Sequence, residues 1–145
     1  MTHGRQRHWD GVFSEKGESD LTWFQERPAV SLDLIQRRTG PADAVIDVGG
    51  GDCRLVDHLL AAGYRDLTVL DIAPAALERS RARIGPCDEV AWIEADITTW
   101  TPRRPYTLWH DRAVFHFLTR AADRAAYRDA LLRAVPPGGR AVIAT

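Results

Sequence analysis

The chain contains a short apolar run that ends in three consecutive glycines, and this run constrains its fold more than any other stretch. Residues 44–52 are Ala-Val-Ile-Asp-Val-Gly-Gly-Gly-Asp. The apolar residues favour a buried strand, and glycine permits a tight turn that brings the backbone close to a ligand. Apolar residues then recur at helical spacing, at Leu55, Val56, Leu59 and Leu60. A strand, a glycine turn and a helix predict a unit that cradles a nucleotide.

Two side chains near the glycines disfavour a dinucleotide. The dinucleotide fingerprint needs a third small residue where this chain has Arg54, and Asp52 lies where the helix is predicted to begin. A carboxylate at that place caps the helix but repels a pyrophosphate. A ligand without phosphates fits better, and S-adenosylmethionine is such a ligand. The alternative is a tight turn that binds no ligand.

Three further segments follow in the order expected of a nucleotide-binding α/β fold. They are a strand that ends near Asp71, a strand that ends near Asp96, and a helix end, a Pro-Gly-Gly turn and a strand over residues 132–143. Asp71 follows the glycines by about 20 residues, which is the usual spacing of an acid that binds ribose.

From about residue 44 to residue 145, this ordered set resembles the class I S-adenosylmethionine-dependent methyltransferases. One departure is Cys53, because many members have a third glycine there. Alternating strands and helices by themselves predict a parallel α/β sheet. The resemblance adds a Rossmann-like doubly wound sheet with strand order 3-2-1-4-5. It also implies the cofactor S-adenosyl-L-methionine and the product S-adenosyl-L-homocysteine, bound by a core over residues 41–145.

The resemblance assigns roles to individual residues. Asp71 is expected to accept hydrogen bonds from both ribose hydroxyls. Asp96 is expected to accept one from the adenine amino group, with Ile97 against the ring. Gly49 and Gly51 would let the backbone approach the methionine end of the cofactor. Each of the two acids could instead cap a local turn.

The roles of two further acids stay open. Asp47 either helps to hold the cationic amino group of the cofactor or holds the glycine turn through backbone N–H groups. Asp111 lies with the other three acids at predicted strand ends, on the rim where such sheets bind ligands. The residues expected to bind the cofactor are Trp9, Phe13, Trp23, Asp47, Gly49, Gly51, Asp71, Ile72, Asp96, Ile97 and Asp111.

The N-terminal part carries a finer resemblance. Residues 8–13 and 21–24 are similar to the aromatic segment of a methyltransferase-like subgroup that includes some protein-lysine methyltransferases. Trp9, Phe13 and Trp23 match the aromatics that help to close the cofactor site, and aromatic faces attract a cationic sulfonium. The alternative is that they are ordinary core or surface aromatics. Residues 1–40 are therefore expected to form an aromatic arm and a helix that cap the site.

Candidates for acid–base chemistry follow the fourth predicted strand, where the family lines its acceptor site. His110, Asp111 and His116 are the candidates, and each could instead only shape the pocket. No catalytic residue is assigned. Three functions stay open: an active methyltransferase on a small-molecule or protein acceptor, a cofactor-binding domain without activity, and a nicotinamide-dependent Rossmann enzyme.

Other predicted elements complete the α/β pattern. Residues 1–20 are expected to form a flexible arm, with helices over 28–38, 74–84 and 119–134 and strands over 108–111 and 140–144. The family usually continues into two further strands, 6 and 7, which are expected to be absent here. Strand 5 would then be an open apolar edge, which predicts self-association.

Composition excludes several other classes. The 145-residue chain has a formal net charge of −1, so it lacks the positive charge typical of general nucleic-acid binding. Its two cysteines have no metal-ligand spacing and suggest free thiols in a reducing compartment. We find no apolar run of transmembrane length and no secretion signal, so the expected location is cytoplasmic.

Overall fold

The computed structural model describes residues 2–15 and 24–145. The sheet has five strands: β1 (Val45–Val48), β2 (Leu67–Asp71), β3 (Val90–Glu94), β4 (Leu108–Arg112) and β5 (Arg140–Ala144). Every strand pair is parallel, and the order is β3-β2-β1-β4-β5. The predicted fold class and strand order are therefore confirmed.

Helices cover the sheet, as crossover connections between parallel strands require. They are α1 (Thr2–Glu15), α2 (Ala29–Gln36), α3 (Leu55–Ala61), α4 (Pro74–Ile84) and α5 (Ala121–Ala134), with a short 3₁₀ helix at Phe115–Phe117. The helix predicted over 28–38 is thus shorter at both ends, and α5 begins two residues later than predicted.

The core lies on both faces of the sheet. Every residue of β1 and β2 is buried, which explains why their sequences are nearly continuous apolar runs. Successive side chains alternate between faces. Val45 and Val69 pack with α2, α3 and α4, whereas Ile46 and Val48 pack with Trp109 and with α5.

The first residues are a helix, so the expectation of a flexible arm over residues 1–20 is wrong for residues 2–15. Helix α1 contains Gly4 and Gly11, which disfavour helices in isolation. Packing against α4 overrides that preference: Phe13 is 6% exposed and clusters with Ala73 and Ala76. Asp10 adds a hydrogen bond by accepting the Ala75 N–H at 3.0 Å.

Two local predictions were wrong. Asp52 does not cap α3: the helix begins at Leu55 with Arg54 before it, and Asp52 forms an ion pair with Arg79 at 2.8 Å. Strand β3 ends at Glu94, two residues before Asp96. In both places the side chain finds a partner elsewhere in the fold, which spacing along the sequence does not reveal.

Candidate functional site

A cavity of about 290 Å³ opens at the carboxyl ends of the strands. It lies at the switch point of the sheet, where β1 and β4 are neighbours whose connections leave in opposite directions. Of the residues predicted to bind the cofactor, those that line it are Trp9, Phe13, Gly49, Asp71, Ile72, Asp96 and Ile97. The structure therefore brings together residues from α1, the glycine turn and the ends of β2 and β3.

Asp71 and the glycine turn form one unit. The Asp71 carboxylate accepts the Gly51 N–H and the Ala73 N–H, both at 2.9 Å. A Cβ on Gly51 would lie 2.7 Å from Asp71 Oδ2, so only glycine allows this approach. Gly51 itself is not part of the cavity wall. Its N–H group instead holds the Asp71 carboxylate, and Asp71 lines the cavity.

Burial controls the charge of Asp71. The side chain is 4% exposed, and desolvation raises its pKa from 3.8 to about 6, although the N–H groups of Ala73 and Gly51 oppose the rise. The carboxylate is ionised near neutral pH and can accept further hydrogen bonds.

Asp96 is held by a residue that the sequence analysis did not select. Arg5 Nη1 lies 2.9 Å from Asp96 Oδ2, and Arg5 Nη2 lies 2.8 Å from Asp123 on α5. Asp96 Oδ1 also accepts the Thr98 N–H at 2.9 Å. Arg5 was visible in the sequence only as part of a basic N-terminus, because its partners depend on where α1 docks.

Aromatic side chains close one wall of the cavity. The rings of Trp9 and Phe117 meet edge to face with centroids 4.9 Å apart, and Phe13 lies 6.3 Å from Trp9. Trp23, the third aromatic of the predicted set, lies outside the described residues. Trp9 and Phe13 lie on the face of α1 that packs with Ala73 and Ala76, and both line the cavity.

A second, smaller cavity of about 20 Å³ adjoins the first. Gly49, Phe13 and Arg112 line both cavities. Asp47 lines only the smaller one, and its Oδ2 is buried without a hydrogen-bond partner in the described part of the chain. Arg112 Nε is a second such atom and carries the opposite charge.

Asp111 is placed differently from its predicted position on the rim. It is 0% exposed and lines neither cavity. Its oxygens accept the Val114 and Phe115 N–H groups at 2.8 and 3.0 Å and the Tyr127 hydroxyl at 2.5 Å. Burial raises the pKa of Asp111. In the structure the carboxylate holds the loop after β4, and cofactor binding by Asp111 stays a prediction.

The candidate bases do not face the larger cavity. His110 is 1% exposed, and its nitrogens lie 2.7 Å from Asp47 Oδ1 and 2.8 Å from Ser31 Oγ. His116 is exposed and packs on Phe117. Neither imidazole lines the larger cavity, and no base is assigned.

The described residues contain no group of histidine, cysteine and acidic side chains suited to a metal ion. Cys53 and Cys87 are free thiols, and burial raises the pKa of Cys53 to about 11, so this thiol is neutral near pH 7. In the same described ranges, no helix has the length and apolar composition needed to cross a bilayer.

Sheet order and cavity position define a Rossmann-like nucleotide-binding fold. The family described as "Methyltransferase domain" matches residues 45–139, and the chain belongs to this family. It is 27% identical to an eEF1A lysine and N-terminal methyltransferase homolog of Drosophila melanogaster, over 93% of this chain and 21% of that protein. It is 39% identical to a trans-aconitate 2-methyltransferase of Methylobacterium radiotolerans, over 90% of this chain and 46% of that protein.

Solved structures share the fold. The DhpI-SAM-HEP complex superposes with a TM-score of 0.75 at 18% identity, over 97% of this chain and 64% of that chain. The chain thus spans about a fifth to two thirds of the length of these three proteins.

Proposed function

We propose that this domain binds S-adenosylmethionine and transfers its methyl group to a small-molecule or protein acceptor. The observation that carries the proposal is the pair of adjoining cavities. Asp71 and Asp96 line the larger one, whereas Asp47 and Arg112 line the smaller one and each keep one buried polar atom without a hydrogen-bond partner in the described residues. A nucleoside in the larger cavity, with a charged amino-acid end that reaches the smaller one, fits this arrangement. The second candidate is a domain that binds the cofactor without turnover.

The larger cavity suits adenosine. Asp71 offers an ionised carboxylate for two ribose hydroxyls, and the apolar Ile72 and Ile97 offer surfaces for the base. Asp96 also lines this cavity, and its carboxylate would accept from the adenine amino group. Arg5 already donates to that carboxylate, and we propose that it orients Asp96 rather than occupying the base site.

The smaller cavity has room for about one water-sized group, which suits the ammonium group of the cofactor's amino-acid end. Asp47 Oδ2 would accept from the ammonium group, and Arg112 Nε would donate to the carboxylate group. Each is a buried polar atom without a partner in the described residues, and such atoms are costly unless a ligand or water satisfies them. The bound cofactor would satisfy both at once.

The cofactor would supply a methyl group already activated by its sulfonium, so the protein's task is alignment. Trp9, Phe13 and Phe117 form an aromatic wall of the larger cavity that attracts a cation and excludes water. Orientation of two reactants contributes about 7–11 kcal/mol in well-aligned systems. No covalent intermediate with the protein is needed.

Methyl transfer from labelled S-adenosylmethionine tests this proposal. Acceptor pools of small metabolites and of proteins are both screened, because the curated relatives are named for trans-aconitate and for elongation-factor lysines. Label in an acceptor with this chain, and none with the Gly49→Ala variant, supports the enzyme. Cofactor binding without label in any acceptor would favour the second candidate.

Affinity for S-adenosylhomocysteine should depend on pH through Asp71. Because the ribose hydroxyls donate to the ionised carboxylate, binding is favoured above the Asp71 pKa of about 6 and is lost as the pH falls below it. At pH 5 about a tenth of the carboxylate would be ionised, so affinity should be about tenfold lower than at pH 7. Calorimetric titration between pH 5 and pH 8 measures this. An equal pH dependence in Asp71→Asn would contradict the assignment.

The ion pairs of Arg5 should hold helix α1 against the site. Arg5→Met removes the ion pairs to Asp96 and Asp123, and Asp96 is left buried without its cation. Amide exchange in α1 should accelerate about fivefold, which corresponds to about 1 kcal/mol. Exchange should slow again when S-adenosylhomocysteine is added.

Arg7→Met is the matched control for this helix. Arg7 is exposed, and among the described residues it donates to the His3 carbonyl of the same helix, at 3.2 Å. The same acceleration of amide exchange in both variants would show that the ion pairs of Arg5 do not hold α1 in place.

Self-association is proposed for the chain. Strand β5 pairs only with β4 among the described strands, and Ile143 is 42% exposed on it. Open strand edges recruit other chains. Light scattering should show species larger than a monomer, and Ile143→Lys should reduce them. A monodisperse monomer at high concentration would contradict this. We also propose a cytoplasmic location, which the free thiols of Cys53 and Cys87 support.

A further inference from the structure

Three polar side chains from three separate elements form a buried hydrogen-bond chain beside the smaller cavity. Ser31 on α2 lies 2.8 Å from His110 Nε2, and Asp47 Oδ1 on β1 lies 2.7 Å from His110 Nδ1. Residues 47 and 110 are register partners on neighbouring strands, so the two side chains lie side by side. The three residues are 5%, 1% and 5% exposed.

A serine, a histidine and an aspartate in this order also occur in hydrolytic enzymes, where the serine attacks the substrate. Here that role is ruled out by access. Ser31 belongs to neither cavity wall, and its hydroxyl is bonded to the histidine inside the core. The three hydrogen-bonded side chains therefore have a role other than attack on a substrate by the serine.

The hydrogen bonds of Ser31 and His110 orient the carboxylate of Asp47. Oδ1 of Asp47 is engaged by His110, whereas Oδ2 is buried without a partner in the described part of the chain and lies beside Gly50. A Cβ at residue 50 would collide with this carboxylate. The free oxygen thus lies against the glycine turn, and both Asp47 and Gly50 line the smaller cavity.

The hydrogen bonds define which way each group points. An Nδ1–H that donates to Asp47 and an Nε2 that accepts the Ser31 hydroxyl satisfy both contacts, and together these contacts fix the orientation of the ring. A carboxylate held at one oxygen cannot rotate freely, so the other oxygen keeps its direction. Partners behind a ligand-binding group commonly orient it in this way.

We propose that Ser31 and His110 are positioning residues for the amino-acid end of the cofactor. They hold Asp47 so that Oδ2 receives the ammonium group, and they link α2 to a site that α2 does not line. This inference rests on the proposed function, and it assigns His110 a role different from that of a base toward the acceptor.

Two ligands that share adenosine test the inference. S-adenosylhomocysteine carries the amino-acid end, whereas 5′-methylthioadenosine lacks it. His110→Leu should weaken S-adenosylhomocysteine binding about tenfold and leave methylthioadenosine binding unchanged, as for the loss of a hydrogen bond to a charged group. His110→Asn keeps an N–H able to reach Asp47 and should restore part of the affinity.

Ser31→Ala provides a milder variant that keeps the histidine and the carboxylate in the core. It should weaken S-adenosylhomocysteine binding about threefold and spare methylthioadenosine. Unchanged S-adenosylhomocysteine affinity in folded Ser31→Ala and His110→Leu proteins, or equal losses for both ligands, would overturn the positioning role. Failure of the unmodified protein to bind either ligand would instead refute the proposed function on which this role depends.

Discussion

Replacing Gly49 with alanine is expected to reduce S-adenosylhomocysteine affinity by at least tenfold. Gly49 has φ of +73°, and a Cβ there would collide with the Val114 side chain, which also lines the larger cavity. The left-handed conformation costs a non-glycine residue about 1–2 kcal/mol. Relief of the collision requires a shift of Val114 or of the turn, and either movement alters the wall shared by both cavities. Calorimetric titration measures the loss.

The matched control is Gly63→Ala. Gly63 also has a positive φ, +91°, but no heavy atom lies within 4 Å of a Cβ built there. The control therefore carries the backbone penalty without the collision, and it lies outside both cavities. It should lower the melting temperature and leave ligand affinity unchanged. Equal affinities in the two variants would show that Gly49 matters only for stability.

The Asp71→Asn variant is expected to lose about 1.5–3 kcal/mol of S-adenosylhomocysteine binding, the range for hydrogen bonds to charged groups. The amide has a similar shape, but it is neutral and its NH₂ group cannot accept a ribose hydroxyl. Asp57→Asn is the control, because Asp57 pairs with Arg83 at 2.8 Å away from both cavities. That variant should bind the ligand normally.

A ligand change isolates the ribose contact. The 2′-deoxy analogue of S-adenosylhomocysteine lacks one of the hydroxyls that Asp71 is expected to bind. If that contact exists, the losses from Asp71→Asn and from the deoxy ligand should not add. Fully additive losses would contradict the contact between Asp71 and ribose.

The strands of the sheet could be predicted because each is specified by a short stretch of consecutive residues. Strands β1 and β2 are short apolar runs bounded by turns, and buried parallel strands have such sequences. The position of Asp71 followed from its spacing to the glycines, since one crossover helix separates the two strands. Strand order came from the family resemblance and not from any single motif.

The contacts between distant elements could not be predicted. Helix α1 has weak amphipathicity and two glycines, so its stability comes from docking on α4. Arg5 reaches Asp96 only after that docking. The His110–Asp47 hydrogen bond joins residues 63 positions apart and depends on strand register.

The surroundings of Asp111 also could not be predicted from the sequence. The sequence pattern places Asp111 near the end of the fourth strand, at the rim of the sheet. In the structure, the loop that leads into the 3₁₀ helix at Phe115–Phe117 folds back onto its carboxylate. A strand-end acid can bind a ligand or hold the following loop, and only the path of that loop decides between them.

Calorimetric titration of the unmodified chain with S-adenosylhomocysteine, and separately with NAD, shows which nucleotide the domain binds. We expect one site for S-adenosylhomocysteine with a dissociation constant in the micromolar range, about −8 kcal/mol at 1 μM, and no heat of binding with NAD. Binding of NAD without binding of S-adenosylhomocysteine would contradict S-adenosylmethionine as the cofactor, because the acids of the larger cavity and the buried polar atoms of Asp47 and Arg112 would then not serve it.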